Sequence, residues 1–593
     1  MPAQIKSRVA DFRNWLSTNG LDAFIVPHED EFLGEYIPEH NERLHWLTGF
    51  TGSAGAAVIS TNDAAIFVDG RYTVQVTKQT PADVYSYQHL VQTPPVAWIT
   101  QNLEKGSKVG IDPRMHSGRW LASTKQSLSE DYELVYINSN PIDTLWSDRP
   151  QATLSTLRLM ENDWVGVGSQ EKRTLIANEL TAQKADSAVL TALDSICWLL
   201  NIRGSDISRL PVALSHAIVH SNSEVEFFID SERVPTQFDE HVGSGVTVYS
   251  PSELETRLTA LKGRKVILDP ATSNAWFELV LNQVGAEVLP IADPCLIPKA
   301  VKNSVEAQGM KNSHVRDGVA MIKFLSWFDK QNDKGEFLNE AQLSDKLESF
   351  RKEDASLADL SFDTISAAAH NAAMCHYNHN NEPTPGVVSD NSMYLVDSGG
   401  QYPDGTTDIT RTIAIGNPTQ EMKKQFTLVL KGHIGLAQAR FPKGTKGHQL
   451  DILARQHLWA NGFDYDHGTG HGVGHFLSVH EGPQRIAKVY NDTALEAGMV
   501  LSNEPGYYRT DEFGIRIENL EIVVEIETAG DFSVLGFESL TRCPIDTRNI
   551  DLSLLSAHEV EWLNTYHQKV WNDLSPLVDG EVKQWLEQAT SAI

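Results

Sequence analysis

Two acidic strands joined by a tight turn form the most informative stretch of this sequence. The first, Tyr394-Leu-Val-Asp397, leads into Ser-Gly-Gly and the turn signal Pro403-Asp-Gly405, and the second, Thr407-Asp-Ile-Thr-Arg-Thr-Ile413, returns from it. A bend between residues 402 and 403 places Asp397 and Asp408 equidistant from its centre. The pattern therefore predicts a hairpin in which the two carboxylates are cross-strand neighbours, about 5 Å apart at Cβ.

A second hairpin of the same construction follows later in the chain. Val500-Leu-Ser-Asn-Glu504 runs into Pro-Gly, and Ile515-Arg-Ile-Glu518 returns, with Glu504 and Glu518 equidistant from Asp511. The strand period also places Arg516 on the face of Glu518. Paired carboxylates at this distance resist joint ionisation unless a cation compensates them. The two hairpins together therefore predict a site for a pair of divalent metal ions.

A glycine-rich histidine motif lies between the hairpins, as His467-Gly-Thr-Gly-His471-Gly-Val-Gly-His475, and His480 follows it. Alternate glycines predict close approach of this backbone to a bound ligand, and the histidines offer a metal ligand and proton-transfer groups. Four carboxylates with one imidazole form a hard, oxygen-rich donor set that favours Mn²⁺, with Zn²⁺ or Co²⁺ as alternatives.

Composition places the chain among ordinary globular proteins. Its 593 residues predict about three to five domains at roughly 100 to 200 residues each. The formal charge of −29 argues against binding to nucleic-acid phosphates or anionic membranes. No apolar run of membrane-spanning length and no signal-peptide core stand out, so we expect a cytoplasmic protein. The four cysteines are too far apart for a CxxC site or a disulfide scaffold.

The first half of the chain contains a weak internal repeat. Phe67-Val-Asp69 returns as Phe228-Ile-Asp230, and Lys108-Val-Gly-Ile-Asp-Pro113 returns as Lys265-Val-Ile-Leu-Asp-Pro270, at nearly constant spacing. This order predicts two similar α/β domains in tandem.

Pro and polar residues near Trp146 to Pro150 predict the seam between these domains. A capping box formed by Asn303 and Glu306 predicts the start of a long helix and of a third domain. In that domain helices alternate with hairpins, which indicates an α+β fold.

These motifs resemble the pita-bread metallopeptidases, a family that includes methionine aminopeptidase, prolidase and X-prolyl aminopeptidase. The match runs over the whole chain and is most similar to the long, three-domain X-prolyl aminopeptidases, also called aminopeptidase P. Its motifs are Trp46-Leu-Thr-Gly-Phe-Thr-Gly-Ser-Ala-Gly55, Val68-Asp-Gly-Arg-Tyr72, Trp198-Leu-Leu-Asn-Ile-Arg-Gly204, His467-Gly-Thr-Gly-His-Gly-Val-Gly474 and Asn503-Glu-Pro-Gly-Tyr-Tyr508.

The resemblance implies a fold and a set of site residues. The expected fold is two creatinase-like α/β domains, residues 1–147 and 148–303, followed by a catalytic pita-bread domain, residues 304–593. The expected metal ligands are Asp397, Asp408, His471, Glu504 and Glu518, of which Asp408 and Glu518 bridge the two ions. The expected catalytic residues are His376, His467, His480, Glu504 and Arg516.

The activity implied is release of the N-terminal residue from Xaa-Pro peptides. In this hypothesis a hydroxide bridging the two metals attacks the carbonyl carbon, and Glu504 accepts the proton of the water. His376 and His480 hydrogen-bond the reacting groups. The resemblance also implies a homodimer, in which Trp46 or Arg71 could reach a neighbouring subunit's site.

Two alternatives remain open at this point. One is a prolidase, which takes only Xaa-Pro dipeptides. The other is a metal-free relative that binds peptides or histones without catalysis. No GxSxG, HExxH or Walker motif supports a different chemistry.

Overall fold

The first half of the chain folds into two sheets of one design in this computed structural model, which describes residues 2–593. Its strands in chain order are β1 (Ala23–Pro27), β2 (Ala56–Ser60), β3 (Ala64–Val68), β4 (Ser86–His89), β5 (Lys108–Ile111), β6 (Glu133–Tyr136), β7 (Arg158–Leu159), β8 (Ser187–Leu190), β9 (Ile202–Arg203), β10 (His216–His220), β11 (Val225–Phe228), β12 (Val246–Tyr249), β13 (Lys265–Leu268) and β14 (Glu287–Leu289). The first sheet has the order β4-β3-β2-β1-β5-β6, and the second has the order β12-β11-β10-β8-β13-β14.

The two sheets also agree in strand direction and in their local contacts. β1 lies antiparallel to β2 and parallel to β5, and β8 is likewise antiparallel to β10 and parallel to β13. The Asp22 carboxylate accepts a 2.7 Å hydrogen bond from the amide of Lys108, and Asp186 accepts one of 2.8 Å from Lys265. These matched contacts confirm the tandem repeat that the sequence predicts.

Helices cover these sheets and build much of the second half of the chain. They are α1 (Pro2–Thr18), α2 (Arg43–Thr48), α3 (Thr73–Gln79), α4 (Pro95–Asn102), α5 (Gly118–Leu128), α6 (Pro141–Leu145), α7 (Asn162–Val165), α8 (Ser169–Ala182), α9 (Leu193–Leu200), α10 (Phe238–Val242), α11 (Leu254–Thr259), α12 (Ala275–Val284), α13 (Leu296–Ala300), α14 (Ser304–Asp333), α15 (Glu340–Arg351), α16 (Gln420–Ala437), α17 (Gly447–Trp459), α18 (Ala557–Leu574) and α19 (Gly580–Ala589). Helix α1 buries Ile5, Val9, Phe12 and Leu16, as its helical period predicts.

The described chain divides into two compact units. The first comprises the residues up to Met160 together with Val167–Leu296, and the second comprises Glu161–Gly166 with Ile297–Ile593. The domain boundaries at residues 147/148 and 303/304 stay predictions. In the part of the chain that the structure describes, no helix has the length and low polarity needed to cross a bilayer.

Small antiparallel sheets and one larger sheet form the β-structure of the second unit. Its strands are β15 (Asp359–Leu360), β16 (Ile365–Ala368), β17 (Ser392–Ser398), β18 (Gly400–Tyr402), β19 (Gly405–Thr406), β20 (Ile409–Ile415), β21 (Arg440–Pro442), β22 (Gly470–Gly472), β23 (Glu481–Ile486), β24 (Val500–Asn503), β25 (Gly506–Arg509), β26 (Phe513–Arg516), β27 (Asn519–Ile526) and β28 (Val534–Ser539). The larger sheet has the order β21-β28-β27-β24-β22-β23, and β16-β17-β20 is a separate sheet. Antiparallel sheets alternating with helices confirm the α+β class of this unit.

Helix α14 begins where the sequence predicts it. The Asn303 side chain accepts from the amides of Val305 and Glu306 at 2.9 and 3.1 Å, and the Glu306 carboxylate accepts from the Asn303 amide at 3.1 Å. This reciprocal capping box satisfies amides that the first helical turn leaves without partners.

We therefore expect Asn303→Ala to lower the free energy of unfolding by about 1 kcal/mol, because the cap acceptor is lost. Urea denaturation measures the change. Asn303→Ser is the matched control, since it retains a cap oxygen while losing the bond from Asn303 to the Val165 carbonyl. Equal stabilities of the Ala and Ser variants would contradict the cap as the source of the effect.

Candidate metal centre

The first acidic hairpin forms, but its register differs from the one expected. Strands β17 and β20 pair antiparallel with Asp397 opposite Thr410, and Tyr402 pairs with Gly405 at the turn. The bend is therefore centred on Pro403 and Asp404, one position later than predicted. The prediction that Asp397 and Asp408 are directly opposed is wrong, because moving the centre by one residue moves every pair by two. Since the strand period is two, Asp408 keeps the same face and becomes a diagonal neighbour.

Alternation along this hairpin separates its acidic side from a hydrophobic core. Tyr394 and Val396 on β17 pack with Ile409 and Ile413 on β20 in a cluster that includes residues of helix α14. Asp397, between Val396 and Ser398, points to the other face and is 7 % exposed. The helix thus supports the strand pair on which the carboxylates stand.

The second hairpin has the expected register. Gly506 pairs with Arg516 and Arg509 with Phe513, which is the register that sets Glu504 against Glu518. Thr410 of β20 joins the two hairpins through two hydrogen bonds to Glu518. The Thr410 carbonyl accepts from the Glu518 amide at 3.1 Å, and the Thr410 hydroxyl donates to the Glu518 carboxylate at 2.8 Å. Glu518 therefore lies beside the first hairpin, where it is 1 % exposed.

His471 on β22 brings an imidazole to the carboxylates. Its Nε2 lies 3.6 Å from Asp408 Oδ2 and 3.5 Å from Glu504 Oε1. Its Nδ1 lies 2.9 Å from the Gly472 carbonyl oxygen. When Nδ1 carries the proton for that contact, the Nε2 lone pair faces the carboxylates, which is the arrangement of a metal-ligating histidine.

The glycines on either side of His471 lie close to other parts of the chain. A Cβ on Gly470 would lie 2.0 Å from the Ser502 carbonyl oxygen, and one on Gly472 would lie 2.4 Å from Glu481 and Gln484 atoms. At these two positions the close approach is to the chain itself, and approach of the motif's backbone to a ligand stays a prediction. They allow β22 to pack closely against neighbouring parts of the chain, and this packing positions His471.

The donor set fits a metal ion. Ligand atoms of Asp408, His471 and Glu518 all lie within 4.8 Å of one another. Among residues 2–593, the buried Oδ1 atoms of Asp397 and Asp408 accept no hydrogen bond. Buried carboxylate oxygens without donors carry a desolvation cost that a divalent cation offsets.

Burial and mutual repulsion perturb these carboxylates in the absence of metal. Burial, followed by the charges of Glu518 and Asp397, holds the pKa of Asp408 well above its usual value. Burial and the charges of Asp397 and Glu504 do the same for the pKa of Glu518. Burial raises the pKa of Glu504 from its usual 4.5 to about 7, although Arg516 opposes the shift. Such shifts are typical of functional sites.

Arg516 connects the metal centre to Tyr508 and His467. Its guanidinium donates to Asp397 Oδ2 at 2.5 Å and to the Tyr508 hydroxyl at 2.7 Å. The same hydroxyl lies 2.8 Å from His467 Nε2. Tyr508 was not among the predicted site residues, although strand alternation on β25 places it on the face that continues from Glu504. His467 thus reaches the carboxylates through Tyr508 and Arg516.

The remaining two predicted histidines approach from different segments. The ring of His480 stacks edge-on to His471 with centroids 4.4 Å apart, so it lies beside the carboxylate cluster. His376 is half-buried and directly follows Cys375, whose thiol lies near Arg516 and Tyr508. The structure therefore gathers Asp397, Asp408, His471, Glu504, Glu518 and Arg516 directly, places His480 next to them, and links His467 through Tyr508.

Comparisons with known families divide the chain into four regions. Residues 308–525 match the model of metallopeptidase family M24, and residues 533–593 match the C-terminal region of peptidase M24. Residues 8–145 and 148–306 each match a creatinase/prolidase N-terminal domain. Two such domains before an M24 domain confirm the fold class that the sequence resemblance implies.

Curated relatives match over nearly the whole length. The Xaa-Pro aminopeptidase ApepP of Drosophila melanogaster is 41 % identical over 97 % of this chain and 96 % of its own. Xaa-Pro aminopeptidase 1 of Dictyostelium discoideum is 39 % identical over 97 % of this chain and 94 % of its own.

Solved structures give the same result. An X-prolyl aminopeptidase from Caenorhabditis elegans, described as a cytosolic enzyme with a di-nuclear active site, is 35 % identical with a TM-score of 0.94, covering 99 % of this chain and 100 % of its own. A Bacillus anthracis Xaa-Pro dipeptidase, 22 % identical with a TM-score of 0.51, covers 64 % of this chain and 99 % of its own, and shares the fold.

The raised carboxyl pKa values predict a pH-dependent stability for the metal-free protein. Glu504 binds a proton more tightly when folded, so the free energy of unfolding should fall as the pH rises from about 4.5 to 7.

Asp408→Asn removes one repelling charge, so we expect it to raise metal-free stability at pH 8 by about 1 kcal/mol and to abolish stabilisation by added Mn²⁺. Urea titrations with and without metal measure both effects. Asp404→Asn is the control, because the buried Asp404 carboxylate pairs with Arg316 and lies outside the predicted ligand set. This variant should lower the free energy of unfolding and retain stabilisation by Mn²⁺. An Asp408→Asn protein that Mn²⁺ still stabilises would exclude Asp408 as a ligand.

Proposed function

The chain belongs to metallopeptidase family M24 and, within it, to the long Xaa-Pro aminopeptidases, and on that premise we propose that it releases the N-terminal residue from peptides with proline in the second position. The observation that carries this proposal is the cluster of Asp408, His471 and Glu518, in which both carboxylates are buried and the imidazole is half-buried. It lies in a chain that covers 96 % or more of its fly relative and of the nematode structure.

We propose that five residues hold two divalent ions. The residues that would hold them are Asp397, Asp408, His471, Glu504 and Glu518. The support is their convergence, the unbonded Oδ1 atoms of both aspartates and the orientation of His471. Ions bound there supply Lewis acidity and lower the pKa of water toward neutrality.

The chain's own side chains then have distinct tasks. Glu504, whose carboxylate lies 3.5 Å from His471 Nε2 in the same cluster, accepts the proton of the attacking water. His480, beside His471, and His376 donate hydrogen bonds to the carbonyl oxygen and to the departing nitrogen. Arg516 holds Asp397 in place, and His467 orients the Tyr508 hydroxyl that Arg516 contacts.

The substrate class follows from the relatives and from the chemistry of proline. An Xaa-Pro bond is a tertiary amide whose nitrogen carries no hydrogen, so the site must recognise the pyrrolidine ring by shape. The site must also hold the free α-amino group of the substrate, so that the first peptide bond is the one that is cleaved. Both requirements suit an aminopeptidase acting at a buried acidic site.

The two alternatives fit less well. A prolidase of the Bacillus anthracis type corresponds to 64 % of this chain, whereas the long aminopeptidases correspond to nearly all of it. A non-catalytic peptide- or histone-binding relative would have no need of a complete ligand set, and all five ligand positions are present here.

The proposal extends to the metal, the assembly and the location. We propose Mn²⁺, because the donors are four carboxylates and one imidazole, together with a homodimer and a cytoplasmic location. The cytosolic nematode enzyme supports the location. We also propose residues 1–147, 148–303 and 304–593 as the domains, supported by family matches that end at residue 145 and begin at 148 and 308.

We expect the purified protein to cleave Xaa-Pro-Xaa tripeptides and longer Xaa-Pro peptides, to lose activity on chelation and to regain it with Mn²⁺. Mass spectrometry of a peptide panel measures release of the first residue. Xaa-Ala-Xaa peptides are the substrate control, and Asp408→Ala, which should bind less metal and be inactive, is the protein control. Cleavage restricted to dipeptides would favour the prolidase alternative. No cleavage by a protein carrying two equivalents of metal would refute the proposal.

A further inference from the structure

We infer that Glu340 is a positioning residue of the metal centre, because its buried carboxylate holds the segment that carries His376. This inference rests on the proposed function, in which His376 contacts the reacting groups. Glu340 is the first residue of helix α15 and is 0 % exposed. It contacts the segment at three places along its length.

The segment, residues 369–391, connects β16 to β17 and is called the His376 segment here. Two short 3₁₀ turns, Ala369–Ala373 and His379–Asn381, are its only regular structure among the described residues. Long connections of this kind in compact domains are commonly functional. The hydrogen bonds found within the segment are short-range, such as those from Met374 to Asn371 and from Tyr377 to Met374, so contacts from outside are needed to fix its position.

The Glu340 carboxylate supplies that fixation through four hydrogen bonds. Oε1 accepts from the Ala368 amide at 2.7 Å and from Asn371 Nδ2 at 2.9 Å. Oε2 accepts from the Tyr377 hydroxyl and from the Gly386 amide, both at 2.6 Å. These donors lie at the start of the segment, next to His376, and near the segment's end.

Backbone contacts reinforce the same attachment. The Glu340 amide donates to the Gly386 carbonyl at 2.9 Å, and the Val388 amide donates to the Leu338 carbonyl at 3.1 Å. A Cβ on Gly386 would lie 2.8 Å from Glu340 Oε1, so only glycine allows this approach. The segment is thus attached to the beginning of helix α15 by main chain and side chain together.

The position of Glu340 suits a buried negative charge. Asn339 caps the helix through a reciprocal bond with Gln342, and Glu340 follows it in the first turn. The positive end of the helix dipole and four donors compensate the charge, and no ion pair to Glu340 is found among the residues that the structure describes. A glutamine loses that fit, because it keeps one acceptor oxygen and its NH2 group must then face the backbone N–H of either Ala368 or Gly386.

The opposite side of the segment contacts the metal centre. A Cβ on Gly514 would lie 1.8 Å from the Ala372 carbonyl oxygen, so the segment lies directly against β26, two residues before Arg516. Cys375 lies near Arg516 and Tyr508. Burial raises the pKa of the Cys375 thiol, and both of these residues act in the opposite direction with a smaller effect. His376 therefore lies four residues after Ala372, which packs against β26, and directly before Tyr377, which is hydrogen-bonded to Glu340.

This placement gives Glu340 a kinetic role. A hydrogen-bond donor acts on a developing charge only when its distance is right, and displacement of about 1 Å can cost about 100-fold in rate. Loosening the attachment to Glu340 displaces His376 without touching a metal ligand. The expected signature is a lower kcat with little change in KM and in metal content.

The first test removes one attachment without changing charge. Tyr377→Phe deletes the hydroxyl beside His376 and should lower kcat for an Xaa-Pro tripeptide about threefold to tenfold, with two metal equivalents retained. Tyr85→Phe is the matched control, since its buried hydroxyl donates to the Leu47 carbonyl at 3.1 Å in the other unit. Tyr85→Phe should leave kcat unchanged.

The second test removes the carboxylate. Glu340→Gln should lower kcat about 10- to 100-fold, with KM within about threefold of wild type. Hydrogen exchange read by mass spectrometry, on the metal-free proteins, should show faster exchange in residues 369–388 for Glu340→Gln and Tyr377→Phe and not for Tyr85→Phe. This readout needs no activity, and Tyr377→Phe decides the matter if Glu340→Gln does not fold.

Several results would overturn the inference. They are a wild-type kcat in Tyr377→Phe, a loss of kcat accompanied by loss of metal, and unchanged exchange in residues 369–388. Failure of the proposed function looks different, because it appears in the wild-type protein as absence of Xaa-Pro cleavage. A wild-type enzyme that cleaves, beside variants that cleave equally well, refutes the role of Glu340 alone.

Discussion

Mutual repulsion among four buried carboxylates is the constraint on which this structure depends. Asp397, Asp408, Glu504 and Glu518 come from two hairpins, and the Arg516 guanidinium beside them carries one compensating charge. A flexible scaffold would relieve the repulsion by moving the carboxylates apart. The surrounding chain prevents this by burying the apolar side of the first hairpin against α14.

A single arginine shows how the two hairpins are held together. Arg411 is 2 % exposed, and its guanidinium donates to the Glu518 carbonyl at 2.7 Å and to the Thr410 carbonyl at 2.9 Å. It also donates to the carbonyls of Pro544 and Cys543. Because these bonds run to main-chain atoms, they fix the backbone from which the acidic side chains project. A bound cation removes the repulsion among the four carboxylates, so this repulsion in the metal-free protein increases the affinity for a cation.

Local sequence patterns predicted the features that depend on nearby residues. Helix α1, the capped start of α14, the tandem sheets and the second acidic hairpin all follow from periodicity or from spacing. The first hairpin's register was wrong because Pro403 and Asp404 became the central turn residues, a choice between neighbouring turns that spacing alone does not make. The face of Asp408 was still right, since the error was a whole strand period.

Features that depend on contacts between distant parts of the chain could not be predicted from the sequence. The glycines beside His471 lie against Ser502, Gln484 and Glu481, and no local pattern shows which atoms fill that space. Likewise, the link between Glu340 and the residues around His376 joins parts of the chain with no shared motif. Tyr508 is different, because strand alternation from Glu504 was sufficient to find it.

The order of the ligands along the chain has a consequence for synthesis. Asp397 is made well before Glu518, and at roughly 5 to 20 residues per second the interval between them is on the order of ten seconds. Both creatinase-like sheets have left the ribosome by then, because their last strand ends at Leu289. The proposed metal site can therefore be completed only late in synthesis, after Glu518 has been added. Until then the nascent chain lacks one of the carboxylates that would hold the ions.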